Sequence, residues 1–311
     1  MNVDSSAVLI AGPWRHQFVP ANASRFHVAL AGPEEREAPL VVLLHGFPQF
    51  WWAWRHQIAA LAEAGYRVAA MDLRGTGASD KPPLGYDVPT LARDVAGLIR
   101  SLGADRAVVV GQGLGGTVAW SMPALHPGVT QAVAALSAPH PLHLHAVQNR
   151  LLRPSTLRHL AFFQLPYLPE RALTGTDLVG RLLREWGAPG WLDDATLATY
   201  RAAAQVPFAA HSAMEQVRWM VRSTPRVDGR RYLSAMRSLA QVPTLQLHGG
   251  GDRCLPAASA ALPADEADVA GPDYRFETIA RAGHFLSEEA PDEVTAHLTT
   301  WLAEVAPPLT P

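Results

Sequence analysis

Two residues far apart in the chain could act as one proton-transfer unit. Asp252 stands in HGGGDRCLP and His284 in AGHFLSEEAP. An aspartate bonded to one imidazole nitrogen fixes the tautomer and stabilises the protonated ring, leaving the other nitrogen to act as a general base. A third segment, Gly111-Gln112-Gly113-Leu114-Gly115-Gly116, has the G-x-Nuc-x-G spacing of a turn that lifts a nucleophile above a sheet. Its middle residue is Gly113, which has no side chain to attack with. The same glycines do not make a dinucleotide loop, because G-x-G-x-G-G departs from G-x-G-x-x-G and does not follow the first strand. His45-Gly46-Phe47-Pro48 completes the set. Glycine there lets the backbone approach a ligand, so the N–H groups of Phe47 and Leu114 are candidate oxyanion donors.

Residues flanking these turns are candidates to line a pocket: His45, Pro48, Trp51, Gln112 and Phe285. Cys254, two positions past Asp252, either faces that pocket or fills the core as a small hydrophobe. Asp72 and Arg74 read as turn residues with a structural role.

The elements that must position these groups follow a βαβα order. Residues 39–44, 66–71, 106–110 and 133–136 are short apolar runs of buried-strand character. Between them, 54–64, 90–102 and 114–126 carry helical patterns; in the second, Leu91, Val95, Leu98, Ile99 and Leu102 share a face and Gly103 closes it. From Pro139 to about Leu239 the strand runs cease and helices are expected, among them 194–205, with Asp193 as N-cap, and 212–222. Strands resume at 244–247 and 274–279, and a helix over 291–305 closes the chain with Pro291 near its start. The reading is a mostly parallel sheet with right-handed crossovers and a helical insertion over the carboxyl ends of its strands, where such sheets bind ligands.

Composition narrows the class. With 48% hydrophobic and 17% charged residues, the chain can bury a large core and is far from disordered. A net charge of −2 without runs of one sign offers no general surface to nucleic acid or an anionic membrane. One cysteine precludes an intramolecular disulfide, and no signal-peptide pattern is present, so a cytoplasmic setting is expected. No stretch reaches the ~20 apolar residues of a membrane span. No metal and no cofactor is expected; the expected partner is a small apolar organic substrate or ligand, with the oligomeric state open.

The chain resembles the α/β-hydrolase superfamily and, within it, the epoxide hydrolases and their haloalkane-dehalogenase relatives. The resemblance rests on HGFPQFWWAWR (45–55), MDLRGTGASDKP (71–82), VVVGQGLGG (108–116), LHGGGD (247–252) and AGHFLSEEAP (282–291), in family order. It implies an α/β-hydrolase fold: a mostly parallel central sheet, helices on both faces, and a helical cap after the sixth strand. The core would then span 1–138 and 241–311, with the cap at 139–240. The departures fall on reactive positions. Gly113 replaces the family's Asp or Ser nucleophile, and Leu114 stands where dehalogenases hold a halide with Trp. The two lid tyrosines of epoxide hydrolases align with Phe162 and with Gln216 or Val217, none of which has a phenol; Tyr167, Tyr200 and Tyr232 are displaced candidates. Three readings follow: general-base chemistry by His284 and Asp252 without a covalent intermediate, a non-catalytic ligand- or partner-binding protein, or a hydrolase with its nucleophile elsewhere, such as Cys254. The first is favoured, because a binding protein has no need of both members of a general-base pair.

Overall fold

The structure is a computed structural model that describes residues 3–145, 152–238, 242–263 and 267–309. Eight strands form one sheet: β1 (Arg15–Ala21), β2 (Ser24–Ala31), β3 (Leu40–Leu44), β4 (Arg67–Met71), β5 (Ala107–Gln112), β6 (Thr130–Leu136), β7 (Thr244–Gly249) and β8 (Tyr274–Ile279). Their order is β1-β2-β4-β3-β5-β6-β7-β8. The β1/β2 and β2/β4 pairs are antiparallel, and every other neighbouring pair is parallel.

The central strands are apolar because both of their faces are covered. Val41 and Leu43 of β3 pack with Ile58 of α1 (Arg55–Glu63) and with Val294 and Leu298 of the closing helix. Val42 and Leu44 turn the other way, toward Leu91 and Val95 of α2 (Val88–Ser101) and Val118 of α3 (Leu114–Leu125). The hairpin β1–β2 is not evident in the sequence. β1 is an edge strand with mostly exposed or half-buried residues, so it lacks the continuous apolar run that marks its neighbours.

Between β6 and β7 the described chain is helical: α4 (Pro154–Phe163), α5 (Leu168–Gly175), α6 (Leu178–Trp186), α7 (Asp194–Ala204), α8 (Ala209–Arg222) and α9 (Val227–Ala235). The Asp193 carboxylate caps α7 by accepting from Thr196 N at 2.6 Å. The chain closes with the short α10 (Leu286–Glu289) and α11 (Pro291–Val305). The insertion boundary expected at 240 and the end of the tail at 310–311 lie outside the described residues. No helix among the described residues is long and apolar enough to cross a membrane.

Asp72 ties the loops after β3 and β4 together. Its buried carboxylate accepts from Trp51 N at 3.0 Å, Ala78 N at 3.0 Å and His27 Nδ1 at 2.8 Å. Arg74 makes a two-pronged contact with Asp94 of α2, at 2.7 and 2.6 Å. Trp51 is therefore a core residue: it is fully buried, and its indole N–H donates to Val8 O at 2.9 Å.

Candidate active site

Four turns at the carboxyl ends of β3, β5, β7 and β8 converge. His284 Nδ1 lies 2.8 Å from Asp252 Oδ2. An ionised carboxylate can only accept, so Nδ1 carries the proton and Nε2 holds a bare lone pair in the neutral ring. That nitrogen stands 3.5 Å from where a Cβ on Gly113 would be. Gly113 has φ 55° and ψ −115°, a conformation that side-chain-bearing residues avoid. The turn is packed too tightly to place the glycine elsewhere: a Cβ on Gly111 would meet Gly115 O at 2.1 Å, and one on Gly46 would meet Gln112 O at 2.9 Å. The segment is thus a tight strand-to-helix turn with glycine at its apex.

Asp252 is fully satisfied. Its Oδ1 accepts from the backbone N–H of Cys254 and Leu255, at 2.7 and 2.8 Å. Its Oδ2 is shared between His284 and His248 Nε2, the latter at 3.2 Å. Burial alone would raise its pKa, but the two imidazoles outweigh that and hold the carboxylate well below its usual range. For His284 burial lowers the pKa, while the charge and hydrogen bond of Asp252, followed by the charge of Glu289, more than offset it, so the net shift is upward.

The cavity over this pair has a volume of about 150 Å³. Gly113, Leu114 and His284 form its floor, with Phe47 beside them and Phe163, Trp186, Val217 and Met220 of the helical segment among its walls. Phe47 packs edge-to-face on Phe163 and Trp186, with ring centroids 5.7 and 6.2 Å apart. Cys254 also faces the cavity. Burial, and then the Asp252 carboxylate, push its thiol pKa well above the ordinary value, the opposite of what a nucleophilic thiolate needs.

Other candidate pocket residues lie elsewhere. His45, Pro48 and Gln216 border a separate cleft of about 40 Å³. Both nitrogens of His45 are committed to its turn, Nδ1 to Gly46 O at 3.0 Å and Nε2 to Leu73 N at 3.1 Å. Gln216 donates to Arg74 O at 2.8 Å. Gln112 is buried behind the elbow, bonded to Gln49 Oε1 at 2.8 Å and Ser287 N at 3.0 Å. Phe285 is fully buried against Trp186 and Trp191. Phe163, not Phe162, reaches the cavity, since adjacent helix residues point about 100° apart. No tyrosine is among the described residues that line the cavity. Tyr167 is 80% exposed, Tyr200 donates to Glu288 Oε2 at 2.5 Å, and Tyr232 pairs with Ser121 at 2.9 Å.

Sequence reading misses three supporting residues. Trp186 closes the cavity and its backbone oxygen accepts from Arg253 N and His284 N, at 3.4 and 3.2 Å. Glu289 holds the His284 loop by accepting from the N–H groups of Gly283, Phe285 and Ala188 at 2.5–2.7 Å. His248 Nε2 lies 2.6 Å from Leu255 O as well as 3.2 Å from the Asp252 Oδ2 that His284 also contacts; its only sequence signal is the i, i+4 spacing to Asp252. No metal-holding group of His, Cys, Asp or Glu occurs among the described residues.

Comparison with known proteins agrees with this architecture. Residues 39–291 match the family described as alpha/beta hydrolase fold. The chain is 33% identical to the AB hydrolase superfamily protein YfhM of Bacillus subtilis, over 92% of this chain and 97% of that protein. It is 31% identical to epoxide hydrolase A of Mycobacterium tuberculosis, over 92% and 96%. The crystal structure of epoxide hydrolase A from Mycobacterium thermoresistibile superimposes with a TM-score of 0.76 at 30% identity, covering 93% of this chain and 98% of that one. With the strand order, the elbow and the His–Asp pair in place, the chain belongs to the α/β-hydrolase family and is an epoxide-hydrolase-like member of it.

Proposed function

We propose that the protein acts on a small apolar organic molecule beneath its helical segment, which serves as a cap, with His284 and Asp252 as a general base and no covalent intermediate. The observation that carries this reading is His284 Nε2, which lies 3.5 Å from where a Cβ on Gly113 would be, with both residues lining the same cavity. In the absence of a nucleophile, a water or an acidic C–H of the substrate takes that space. Charge developing on oxygen there would meet the N–H groups of Phe47 and Leu114. The apolar walls suit a neutral ligand, and a lone cysteine fits a cytoplasmic setting.

The ester route of epoxide hydrolases is not expected, because neither the carboxylate at 113 nor the two phenols are present. A second reading, a binding protein on a hydrolase scaffold, draws its support from Gly113 alone. A panel of small epoxides, lactones and ketones tests all three. Turnover abolished in His284→Ala, with intact-protein mass spectra free of adducts, is the expected result. Turnover unchanged in that variant sinks the general-base reading. A substrate-derived adduct would reinstate a covalent mechanism, and silence across the panel would favour the binding protein.

A further inference from the structure

The gap over Gly113 has the surroundings of a carboxylate seat. On one side is His284 Nε2, which has no hydrogen-bond partner among the described residues although its side chain is only 7% exposed. On the other is the start of α3, a helix of twelve residues whose N-cap is Gly113 and so supplies no capping side chain. The N–H of Gly113 itself is taken by Leu136 O at 2.9 Å. The Leu114 N–H opens the helix and has no partner within it, and it lies at the positive end of the peptide dipoles. The remaining polar side chains on the cavity wall are spoken for: Thr117 Oγ1 faces Gly113 O at 3.4 Å and Thr156 Oγ1 donates to Cys254 O at 3.1 Å. Beyond this one polar corner the cavity is apolar and about 150 Å³, a size at which dry cavities in proteins accept a benzene ring.

We propose that the cavity binds apolar monocarboxylic acids of about benzoate size: the acid's proton passes to His284 Nε2, which then donates to the carboxylate lodged over Gly113, the Leu114 N–H donates from the other side, and the ring lies in the cavity. The ligand would supply the anion that the chain itself lacks at this position. Bound so, the acid occupies the base and blocks it, so acids of this class inhibit the turnover proposed above competitively. The inference rests on the reading that this cavity is the functional site. It does not need the chain to be a catalyst.

The test is calorimetric titration of the full-length protein with benzoate, benzamide and toluene. Benzoate is expected to bind at least about tenfold more tightly than benzamide, and toluene to bind weakly through the cavity alone. Gly113→Asp places a carboxylate in the seat and should abolish the benzoate preference while toluene binding persists. Gly113→Ala, a second variant less demanding on folding, should weaken benzoate selectively, and so should His284→Ala. Equal affinity for benzoate and benzamide, or benzoate binding unaltered by either Gly113 substitution, overturns the proposal. So does failure of all three probes to bind. Activity lost in His284→Ala without benzoate binding would leave the general-base reading standing and sink only this one.

Discussion

Replacing Gly113 by alanine isolates what the elbow backbone costs. At φ 55° and ψ −115°, a residue with a Cβ bears strain of about 1–3 kcal/mol. No steric overlap adds to it, since the new methyl would lie 3.5 Å from His284 Nε2 and 3.6 Å from Gly46 Cα, ordinary contact distances. The control is Gly115→Ala, where the Cβ would come within 2.3 Å of Leu44 O and 2.6 Å of His45 O. Those are backbone atoms that cannot swing aside, so the control should lose more than about 3 kcal/mol. An unfolding entropy of roughly 0.65 kcal/mol/K for 311 residues turns the Gly113→Ala loss into a melting shift of about 1.5–5 °C. In urea the midpoint should fall with the slope unchanged. Gly113→Asp should lose stability in the same range of about 1–3 kcal/mol, its carboxylate settling against His284. An unchanged midpoint for the alanine variant would mean the turn carries no strain. A loss matching that of Gly115→Ala would mean the Cβ has no room there. Either result refutes the reasoning.

Four further outcomes are expected. Because the His284 pKa is raised, the rate of a general-base reaction should climb with pH through that raised value, and Asp252→Asn should cut it by about 100-fold or more and move the midpoint to lower pH. The same linkage sets stability. The Asp252 contribution is lost as pH falls through its depressed pKa, and the His284 contribution is lost as pH rises through its elevated one, so wild type should exceed Asp252→Asn most between about pH 4 and 6.5. Tyr200→Phe removes a donor from the buried Glu288 carboxylate and should cost about 1.5–3 kcal/mol in urea unfolding; a loss under about 0.5 kcal/mol would show that Arg55 and Gln49 satisfy Glu288 unaided. Cys254, buried and with its thiol pKa raised, should resist iodoacetamide in the native protein and react on denaturation; rapid native labelling would revive it as a nucleophile.

What could be read from the sequence follows from where physics writes a local signal. β3 to β6 are buried on both faces and appear as apolar runs, and Gly46, Gly111, Gly115 and Gly116 are held by contacts that leave no room for a side chain. The edge hairpin escapes because β1 is mostly wet. The helical segment between β6 and β7 is harder still. Which of Phe162 and Phe163 meets the cavity turns on one residue of helical phase, and helix phase is set by packing against partners remote in sequence. Tyr167 and Tyr200 were equivalent as tyrosines; one ended in solvent and the other in a carboxylate network, a difference decided by tertiary contacts alone. Trp51 belongs with them, since its burial depends on Val8 and Asp72 rather than on its neighbours in HGFPQFWW.

The close packing around the elbow separates shape from reactivity. The positions that fix the turn are 46, 111, 115 and 116, each pressed against backbone or a neighbouring side chain, while the position that would react is the one with free space beside it. A side chain added at 113 would therefore change what the turn presents to the cavity without displacing backbone, whereas one added at 46, 111, 115 or 116 would force the turn itself to move. Mechanical independence of this kind lets the chemistry presented at the apex be exchanged separately from the scaffold that holds it, for as long as the flanking glycines remain.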